Sequence, residues 1–396
     1  MSETVTTQST PDTSVSGAEL TLTDVTKRYS SQGKPAVDGL SLTIPAGETV
    51  MFVGPSGCGK TTSLKMINRL IEPTSGTITI NGEDIRAKNV DDLRRGIGYV
   101  IQGGSLFPHM SVAENIAVVP GLLRWKKARI ADRVDELLDL VGLEPGRYRD
   151  RYPRELSGGQ QQRVGVARGL AADPPVLLMD EPFGAVDPIT RQRLQDEMMS
   201  IQDELRKTIV CVTHDIDEAL KLGDRILILQ EGAEVAQYDT PDVILAQPAN
   251  EFVEDFVGSG SSLKLLSLTR VQELELSKQS TATVGEPTKD VIERTRAAGD
   301  ASVIVLDKRR RPIAWSWLRE LRSDAVPGTE DTRLITIDRK ATLNDALDSM
   351  LVSSHDGVIV TGRREEYLGV TTFTSVTDHM RATEKAAAEA VSEDAR

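Results

Sequence analysis

VMFVGPSGCGKTT (residues 50–62) is an apolar run that leads through a glycine-rich loop into the start of a helical pattern. It matches G-x-x-x-x-G-K-[ST], with Gly54, Gly59, Lys60 and Thr61 at the defining positions. Glycines let backbone N–H groups curl around a triphosphate, and the helix N-terminus adds its positive dipole end. We expect Lys60 to reach the β- and γ-phosphates and the Thr61 hydroxyl to bind Mg²⁺. The predicted phosphate loop comprises Gly54, Pro55, Ser56, Gly57, Cys58, Gly59, Lys60, Thr61 and Thr62.

A second apolar run, PVLLMDEP (175–182), ends in two carboxylates. Because α/β sheets bind ligands at the carboxyl ends of their strands, we expect Asp180 and Glu181 to face the phosphate loop. Asp180 suits the Mg²⁺ shell, and Glu181 is the candidate to polarise the attacking water. His214, after the next apolar run, is a candidate contact for the γ-phosphate or the water, and Gln102 is a candidate ligand of Mg²⁺ or the water. Taken alone, either side chain is as compatible with an ordinary structural role.

Apolar runs of four to six residues alternate with helical patterns from Leu20 to about Gly260. This alternation predicts an α/β fold with a parallel sheet that is buried on both faces. The Gly/Ser break VGSGSS (257–262) predicts a domain boundary. The expected division is a disordered tail (1–18), an α/β domain (19–260), a smaller α+β domain (261–380) and a charged tail (381–396).

The composition narrows the classes of function. The 396 residues include 47 basic and 60 acidic side chains, a formal net charge of −13, which argues against binding to nucleic acid. Two distant cysteines, Cys58 and Cys211, form no disulfide framework and suit a reducing cytosol. No apolar run reaches the roughly 18 residues needed to cross a bilayer, and the polar N-terminus lacks a signal core. We expect a soluble, intracellular chain that reaches a membrane only through a partner.

The C-terminal region contains an internal repeat with a shift of 55 residues. Residues 303–305 (VIV) align with 358–360 (VIV), and 290–292 (DVI) align with 345–347 (DAL). Each copy predicts a helix, a strand, a polar hairpin and a second strand, and the two copies should pack as a pseudo-symmetric pair.

Five motifs in this order resemble the ATP-binding subunit of an ABC transporter: the phosphate loop, Gln102, LSGGQ (156–160), VLLMDE (176–181) and His214. The resemblance implies a P-loop NTPase fold with a helical subdomain, ATP and Mg²⁺ as ligands, and a head-to-tail homodimer around two ATP molecules. It implies that the LSGGQ loop contacts the γ-phosphate held by the partner, through Ser157, Gly158, Gly159 and Gln160. Asp187 matches the family's D-loop at the dimer seam. Tyr29, before the first strand pair, is a candidate to stack on adenine, although a lone tyrosine is more often a packing residue.

Residues 97–120, 183–197 and 213–226 resemble importers of osmoprotectants such as glycine betaine, choline, carnitine and proline-type solutes. The resemblance implies integral-membrane permease subunits, an extracytoplasmic substrate-binding protein, and a peripheral location at the cytoplasmic face of the inner membrane. The segment after Gln102, which includes His109, resembles the site of the permease's coupling helix. No residue of the chain is expected to touch the solute. An importer ATPase for an amino acid or a polyamine therefore stays open, as does a non-transport ABC ATPase.

The repeat resembles a tandem pair of CBS modules. Nucleotide-binding pairs usually carry Gly-h-x-Thr-x-x-Asp, but the second copy has Ser375 in place of the aspartate, and residues 314–320 of the first copy lack the glycine and the threonine. These departures argue against AMP or ATP sensing, and leave ionic-strength sensing and dimerisation open. The basic run Lys308, Arg309, Arg310 and Arg311 is either a solvated turn or a contact for anionic lipid. Trp315 and Trp317 either join that surface or pack in the core.

Overall fold

The structure, a computed structural model of the chain, describes residues 17–29, 33–101, 106–184, 186–258, 261–329, 331 and 334–382. The chain divides into two compact units, the first comprising Met1–Ile244 and Pro248–Val257, and the second Leu245–Gln247 and Gly258–Arg396. Gln102 and most of both predicted tails lie outside the described residues. Ala18, which we expected in the disordered tail, is fully buried, and its N–H donates to the Thr208 hydroxyl at 3.0 Å.

Ten strands in the described part of the first unit form two sheets: β1 (Leu20–Lys27), β2 (Val37–Ile44), β3 (Thr49–Val53), β4 (Ser75–Ile80), β5 (Glu83–Asp84), β6 (Ile97–Val100), β7 (Val176–Asp180), β8 (Thr208–Val212), β9 (Arg225–Leu229) and β10 (Val235–Asp239). The larger sheet has the order β10-β9-β3-β8-β7-β6 and is parallel except for β10. Every residue of β3, β7 and β8 is buried, as expected for strands covered on both faces. The second sheet, β2-β1-β4-β5, is antiparallel and was not predicted.

The helices of the first unit are α1 (Lys60–Ile67), α2 (Val90–Arg95), α3 (Val112–Leu122), α4 (Lys127–Leu140), α5 (Pro145–Tyr148), α6 (Gly158–Leu170), α7 (Pro188–Leu205), α8 (Ile216–Leu222), α9 (Pro241–Ala246) and α10 (Glu251–Val257). Helices α3, α4 and α6 pack against one another and form the predicted helical subdomain. Ser111 and Ser157 begin α3 and α6 with reciprocal capping boxes, which satisfy N–H groups that the first turn leaves unpaired. No helix among the described residues is long and apolar enough to cross a membrane.

The second unit contains α11 (Ser261–Leu268), β11 (Thr281–Thr283), α12 (Thr288–Ala297), β12 (Ser302–Leu306), β13 (Pro312–Trp317), β14 (Thr336–Asp338), α13 (Leu343–Val352), β15 (Gly357–Thr361) and β16 (Tyr367–Thr372). Residues 373–382 are helical. Elements β11 to β13 reappear as β14 to β16 with every boundary shifted by 55 residues, as the sequence repeat predicts. Each copy forms a three-stranded sheet whose first strand, too short to be recognised from the sequence, pairs in parallel with the second.

The two copies of the repeat share part of their core. Ile304 and Trp315 of the first copy form one buried cluster with Ile359 and Val370 of the second. Trp315 is 8% exposed, and its ring stacks on that of His355 with 4.2 Å between the centroids. The option that Trp315 joins a lipid-facing surface is therefore wrong, because its indole is needed between the copies.

Candidate functional site

The loop between β3 and α1 has a backbone conformation with positive φ angles, which its glycines adopt without strain. Gly54, Gly57 and Gly59 have φ values of 145°, 82° and 115°, a region that other residues adopt only with strain. A Cβ on Gly54 would lie 2.2 Å from the Leu229 carbonyl oxygen, so glycine is also required by close packing. The loop and the N-terminus of α1 therefore present backbone N–H groups in the arrangement that binds phosphates.

The Lys60 ammonium lies over this loop. Its Nζ donates to the carbonyl oxygens of Gly54 at 2.7 Å and Pro55 at 3.0 Å, and only 6% of the residue is exposed. The Cys58 thiol lies 3.7 Å from Nζ and is 2% exposed, so it fills space beneath the loop and is shielded from reagents.

Thr61 and Asp180 connect the phosphate loop to the end of β7. The Thr61 hydroxyl donates to Asp180 Oδ1 at 3.0 Å. Burial raises the pKa of Asp180 above its ordinary value, while the bond from Thr61 and the nearby lysines act in the opposite direction. Burial, together with the charge of Asp180, raises the pKa of Tyr99 to about 12. A hydroxyl and a carboxylate oxygen side by side are the donors that Mg²⁺ prefers, so this pair fits the ion.

Glu181 and His214 lie at the same edge of the sheet. Glu181 has a φ of 46°, and its N–H donates to the Val212 carbonyl oxygen at 2.9 Å, which fixes the chain where β7 ends. Its Oε1 is 3.5 Å from His214 Nδ1. The His214 side chain is 67% exposed, whereas that of Glu181 is 27% exposed. The structure thus brings together Thr61, Asp180, Glu181 and His214, as the motifs predict.

A network that the sequence did not indicate fixes the turn around His214. The Thr213 hydroxyl donates to Glu218 Oε2 at 2.6 Å, and burial raises the pKa of Glu218. Arg191 of α7 lies 3.7 Å from Glu218 Oε1 and donates to the Val186 carbonyl oxygen at 3.3 Å. Arg191 therefore links the turn that carries His214 to the residue just before Asp187. The one signal in the sequence that could have indicated this network is Glu218, which follows His214 by four residues, together with Thr213, which directly precedes His214.

The LSGGQ loop lies beside the start of α7. Ser157 caps α6, and a Cβ on Gly159 would be 2.5 Å from Thr190 Cγ2. Asp187 caps α7 by accepting from the Thr190 N–H at 3.1 Å. Hydrogen bonds from the Thr190 hydroxyl, and next from its N–H, lower the pKa of Asp187. The Gln160 side chain completes the Ser157 capping box through Oε1, and its Nε2 donates to the Tyr148 hydroxyl of α5 at 3.1 Å. Among the described residues, no hydrogen bond or ion pair joins 157–160 to the phosphate loop of the same chain.

Two predicted residues remain outside this cluster. We expected Tyr29 before the first strand pair, but it follows β1 and precedes β2, so it lies between the two strands of that pair. It is half-buried, and the Lys27 ammonium lies 5.2 Å from the centre of its ring. Gln102 belongs to 102–105, which the structure does not describe.

The fold and the site together define an ATP-hydrolysing subunit of the ABC class. Residues 37–184 match the family model described as ABC transporter. The chain belongs to the ATP-binding proteins of ABC transporters, and it hydrolyses ATP to drive transport.

Named relatives include the osmoprotectant import ATP-binding protein OsmV of Salmonella typhimurium, which is 49% identical over 76% of this chain and 80% of its own length. The glycine betaine/carnitine/choline transport ATP-binding protein OpuCA of Bacillus subtilis is 45% identical over 91% of this chain and 95% of its own length. Among solved structures, the ATP-binding cassette MJ0796, dimeric and bound to ADP and Pi, is similar with a TM-score of 0.51. It is 36% identical and covers 56% of this chain and 98% of its own.

Proposed function

We propose that this chain energises the import of osmoprotectants of the quaternary-amine class, such as glycine betaine, choline, carnitine and proline-type solutes. The observation that supports this most is the similarity to OpuCA of Bacillus subtilis, which extends over 91% of the chain and so reaches into both units. In this proposal the chain acts at the cytoplasmic face of the inner membrane. Its partners are permease subunits and an extracytoplasmic binding protein that selects the solute.

The site residues have three roles in ATP hydrolysis: they bind the phosphates, orient the attacking water and accept its proton. The glycine loop and Lys60 hold the phosphates, which places the γ-phosphoryl group at the carboxyl ends of β7 and β8. Thr61 and Asp180 would hold Mg²⁺, which would supply positive charge to neutralise the phosphate oxygens. The Glu181 carboxylate accepts the proton of the attacking water, a role worth typically 10²- to 10⁴-fold in rate. His214, 3.5 Å from Glu181, orients that carboxylate and the water.

Ser157, Gly158 and Gly159 complete the site of a second copy. Ser157 and Gly158 are exposed at the N-terminus of α6, where backbone N–H groups and the helix dipole favour an anion. A two-fold dimer would place this N-terminus on the partner's γ-phosphate and Asp187 at the seam. The neighbouring Ile189, which is 78% exposed, would be covered there.

Apolar side chains on the segment after Gln102 suit a protein partner. Phe107 of this segment (103–120) is 42% exposed, and the His109 ring lies 6.1 Å from that of Phe107. Leu122 and Leu123, which follow the segment at the end of α3, are 58% and 39% exposed. Exposed apolar side chains of this size suit a docking surface. We propose that the permease's coupling helix docks on this segment, and that His109 is a loop residue of the docking surface.

Solute uptake by intact cells tests the proposed substrate class. Cells that carry the chain with Glu181→Gln should lose most of their uptake of labelled glycine betaine, choline, carnitine or proline at raised osmolarity, because ATP would bind without being hydrolysed. Loss of amino-acid or polyamine uptake alone, with these four unchanged, would contradict the substrate class and leave the ATPase assignment intact.

The two hairpins of the repeat form a basic surface larger than the sequence suggested. The N–H of Tyr367 donates to the Arg310 carbonyl oxygen at 2.9 Å, so the second hairpin lies against the first. We define the basic hairpin surface as the exposed cationic side chains of the two hairpins, which are Lys308, Arg309, Arg310, Arg363 and Arg364. Arg311 does not belong to it, because it pairs with Asp307 at 2.9 Å and with Glu365 at 3.3 Å.

We infer that this tandem pair, of CBS type, contacts anionic lipid headgroups through the basic hairpin surface. Each cation near such a membrane contributes about 1 kcal/mol, and the attraction weakens as salt shortens the Debye length. Lys308, Arg309 and Arg310 changed together to glutamine should reduce binding to phosphatidylserine vesicles and shift the salt concentration at which transport begins. The matched control changes Lys289, Arg296 and Arg322, three exposed cations of the same repeat copy. Equal effects of the two triple variants would contradict a specific surface.

A further inference from the structure

A cavity of about 150 Å³ lies between the larger sheet of the first unit and helices α7 and α8. Its wall is rich in sulfur. Of the nine methionines and two cysteines in the chain, five line this cavity, together with one aromatic ring: Met51, Met179, Met198, Met199, Cys211 and Phe183. Met51 and Met179 both pair with Cys211 across adjacent strands, so the three form a row on one face of the sheet.

Such a wall suits a small apolar body. An apolar protein cavity of about this volume takes up benzene-sized ligands. Methionine side chains are flexible and polarisable, and for that reason they adapt to ligands of different shape. Phe183, 4% exposed, lines both this cavity and a second one of about 20 Å³.

The opening of the cavity is acidic. Asp203 and Asp224 line it and are exposed. Asp224 accepts from the Thr49 N–H at 2.7 Å, whereas the Asp203 side chain has no hydrogen bond or ion pair within the part of the chain that the structure describes. Lys221 lines the same opening, but its ammonium is paired with Asp196 at 2.7 Å. The charge that remains to meet a ligand is therefore negative. A cation with an apolar body therefore suits both the wall and the opening, and Phe183 adds an aromatic ring, the group that attracts a methylated ammonium.

The cavity walls are continuous with the catalytic residues. Met179 precedes Asp180, Phe183 follows Glu181 by two positions, and Cys211 precedes His214 by three. Helix α7, which supplies two of the methionines, begins at the Asp187 cap. A ligand that fills the cavity would hold these segments at one spacing, while leaving the phosphate loop, which contributes no lining residue, unobstructed.

We propose that this cavity is a regulatory site for a small lipophilic cation, a methylated or aromatic ammonium compound, whose binding slows ATP hydrolysis. Because the site lies apart from the phosphate loop, turnover falls while the KM for ATP is unchanged. The proposal concerns the ATPase unit alone and holds whichever solute is transported.

Nuclear magnetic resonance of the full-length chain, labelled with [methyl-¹³C]methionine, tests the site directly. Benzyltrimethylammonium should shift the signals of Met51, Met179, Met198 and Met199 with a dissociation constant of about 1 mM, and leave Met66 and Met350 unchanged. Benzyl alcohol, which lacks the charge, should bind more weakly, and phenylacetate should not bind. Absence of these shifts at about 10 mM cation, or equal binding of phenylacetate, would overturn the proposal.

Three variants check the charge and the volume. Asp203→Asn should weaken binding of the cation by about threefold, as expected for one exposed charge. Its neighbour Glu204 is exposed and does not line the cavity, so Glu204→Gln should bind like the wild type. Met199→Phe, which fills part of the cavity, should abolish the shifts. Equal effects of the first two variants would refute the cation preference, and unchanged turnover at saturating cation would refute the regulatory role.

Discussion

Glu218 is a carboxyl group whose environment favours the protonated form. Burial raises its pKa, while the Thr213 hydroxyl and the more distant Arg191 guanidinium favour the charged form without reversing the shift. A group whose folded pKa lies above its unfolded pKa binds more protons in the folded state, so the free energy of unfolding falls as pH rises between the two values.

Glu218→Gln should remove this dependence. Glutamine can still accept from Thr213 but carries no charge at any pH. The free energy of unfolding of the wild type, relative to that of the variant, should be smallest at high pH and largest below the unfolded pKa of the carboxyl group. Chemical denaturation of both proteins at several pH values from 4 to 8 measures the difference, with the chain otherwise intact. A difference that grows as pH rises would contradict the protonated assignment.

The positions of side chains were predictable from the sequence where a motif defines the backbone around them. Thr61, Asp180, Glu181 and His214 follow apolar strands directly, and parallel strands bring their carboxyl ends to one edge. Arg191 and Tyr99 were not predictable, because Glu218 and Asp180, the carboxyl groups that they meet, are distant from them in sequence. When its neighbours in space are unknown, an arginine on a helix is interpreted as a charge exposed to solvent.

At the scale of elements, the packing of α6 against α7 determines where the LSGGQ loop lies. Gly159 is buried, and a Cβ there would be 2.5 Å from Thr190 Cγ2. Gly159→Ala should force the two helix N-termini apart, cost about 1–3 kcal/mol in stability and reduce ATP turnover. Phosphate release and thermal unfolding measure the two effects.

A second substitution separates crowding from other effects of the alanine. Thr190→Ser removes the methyl group that the new Cβ would meet, and a serine N–H can still donate to Asp187. The double variant should recover stability and turnover, and Thr190→Ser alone should resemble the wild type. A double variant as defective as Gly159→Ala would show that crowding against Thr190 is not the cause.

Element types were predictable where the hydrophobic pattern had a single reading. The runs that form β3, β7 and β8 are continuous and buried, and the repeat is reproduced with each boundary shifted by 55 residues. The antiparallel sheet was missed although β1 alternates between buried and more exposed residues at its start, because the parallel runs dominated the reading. Strands β11 and β14, of three residues each, are too short to give a periodic signal.

At the scale of the whole molecule, we propose that one chain holds two halves of a catalytic site, which no hydrogen bond or ion pair joins among the described residues. The phosphate loop, Asp180 and Glu181 form one half, and the Ser157 loop beside Asp187 forms the other. In the proposed two-fold dimer, each half would meet its complement on a second copy. The dimeric structure of MJ0796, 36% identical to this chain, shows that such a cassette can pair.

Mixing two inactive variants tests this pairing most directly. Lys60→Ala disables the phosphate loop and Ser157→Arg disables the LSGGQ loop, so each homodimer should be inactive in ATP hydrolysis. In the mixed dimer one site combines an intact Lys60 with an intact Ser157, and random pairing should restore about a quarter of the wild-type sites. Recovered hydrolysis after mixing equal amounts is the predicted result. Two variants that stay inactive when mixed, although each still folds and dimerises, would contradict a site built from two chains.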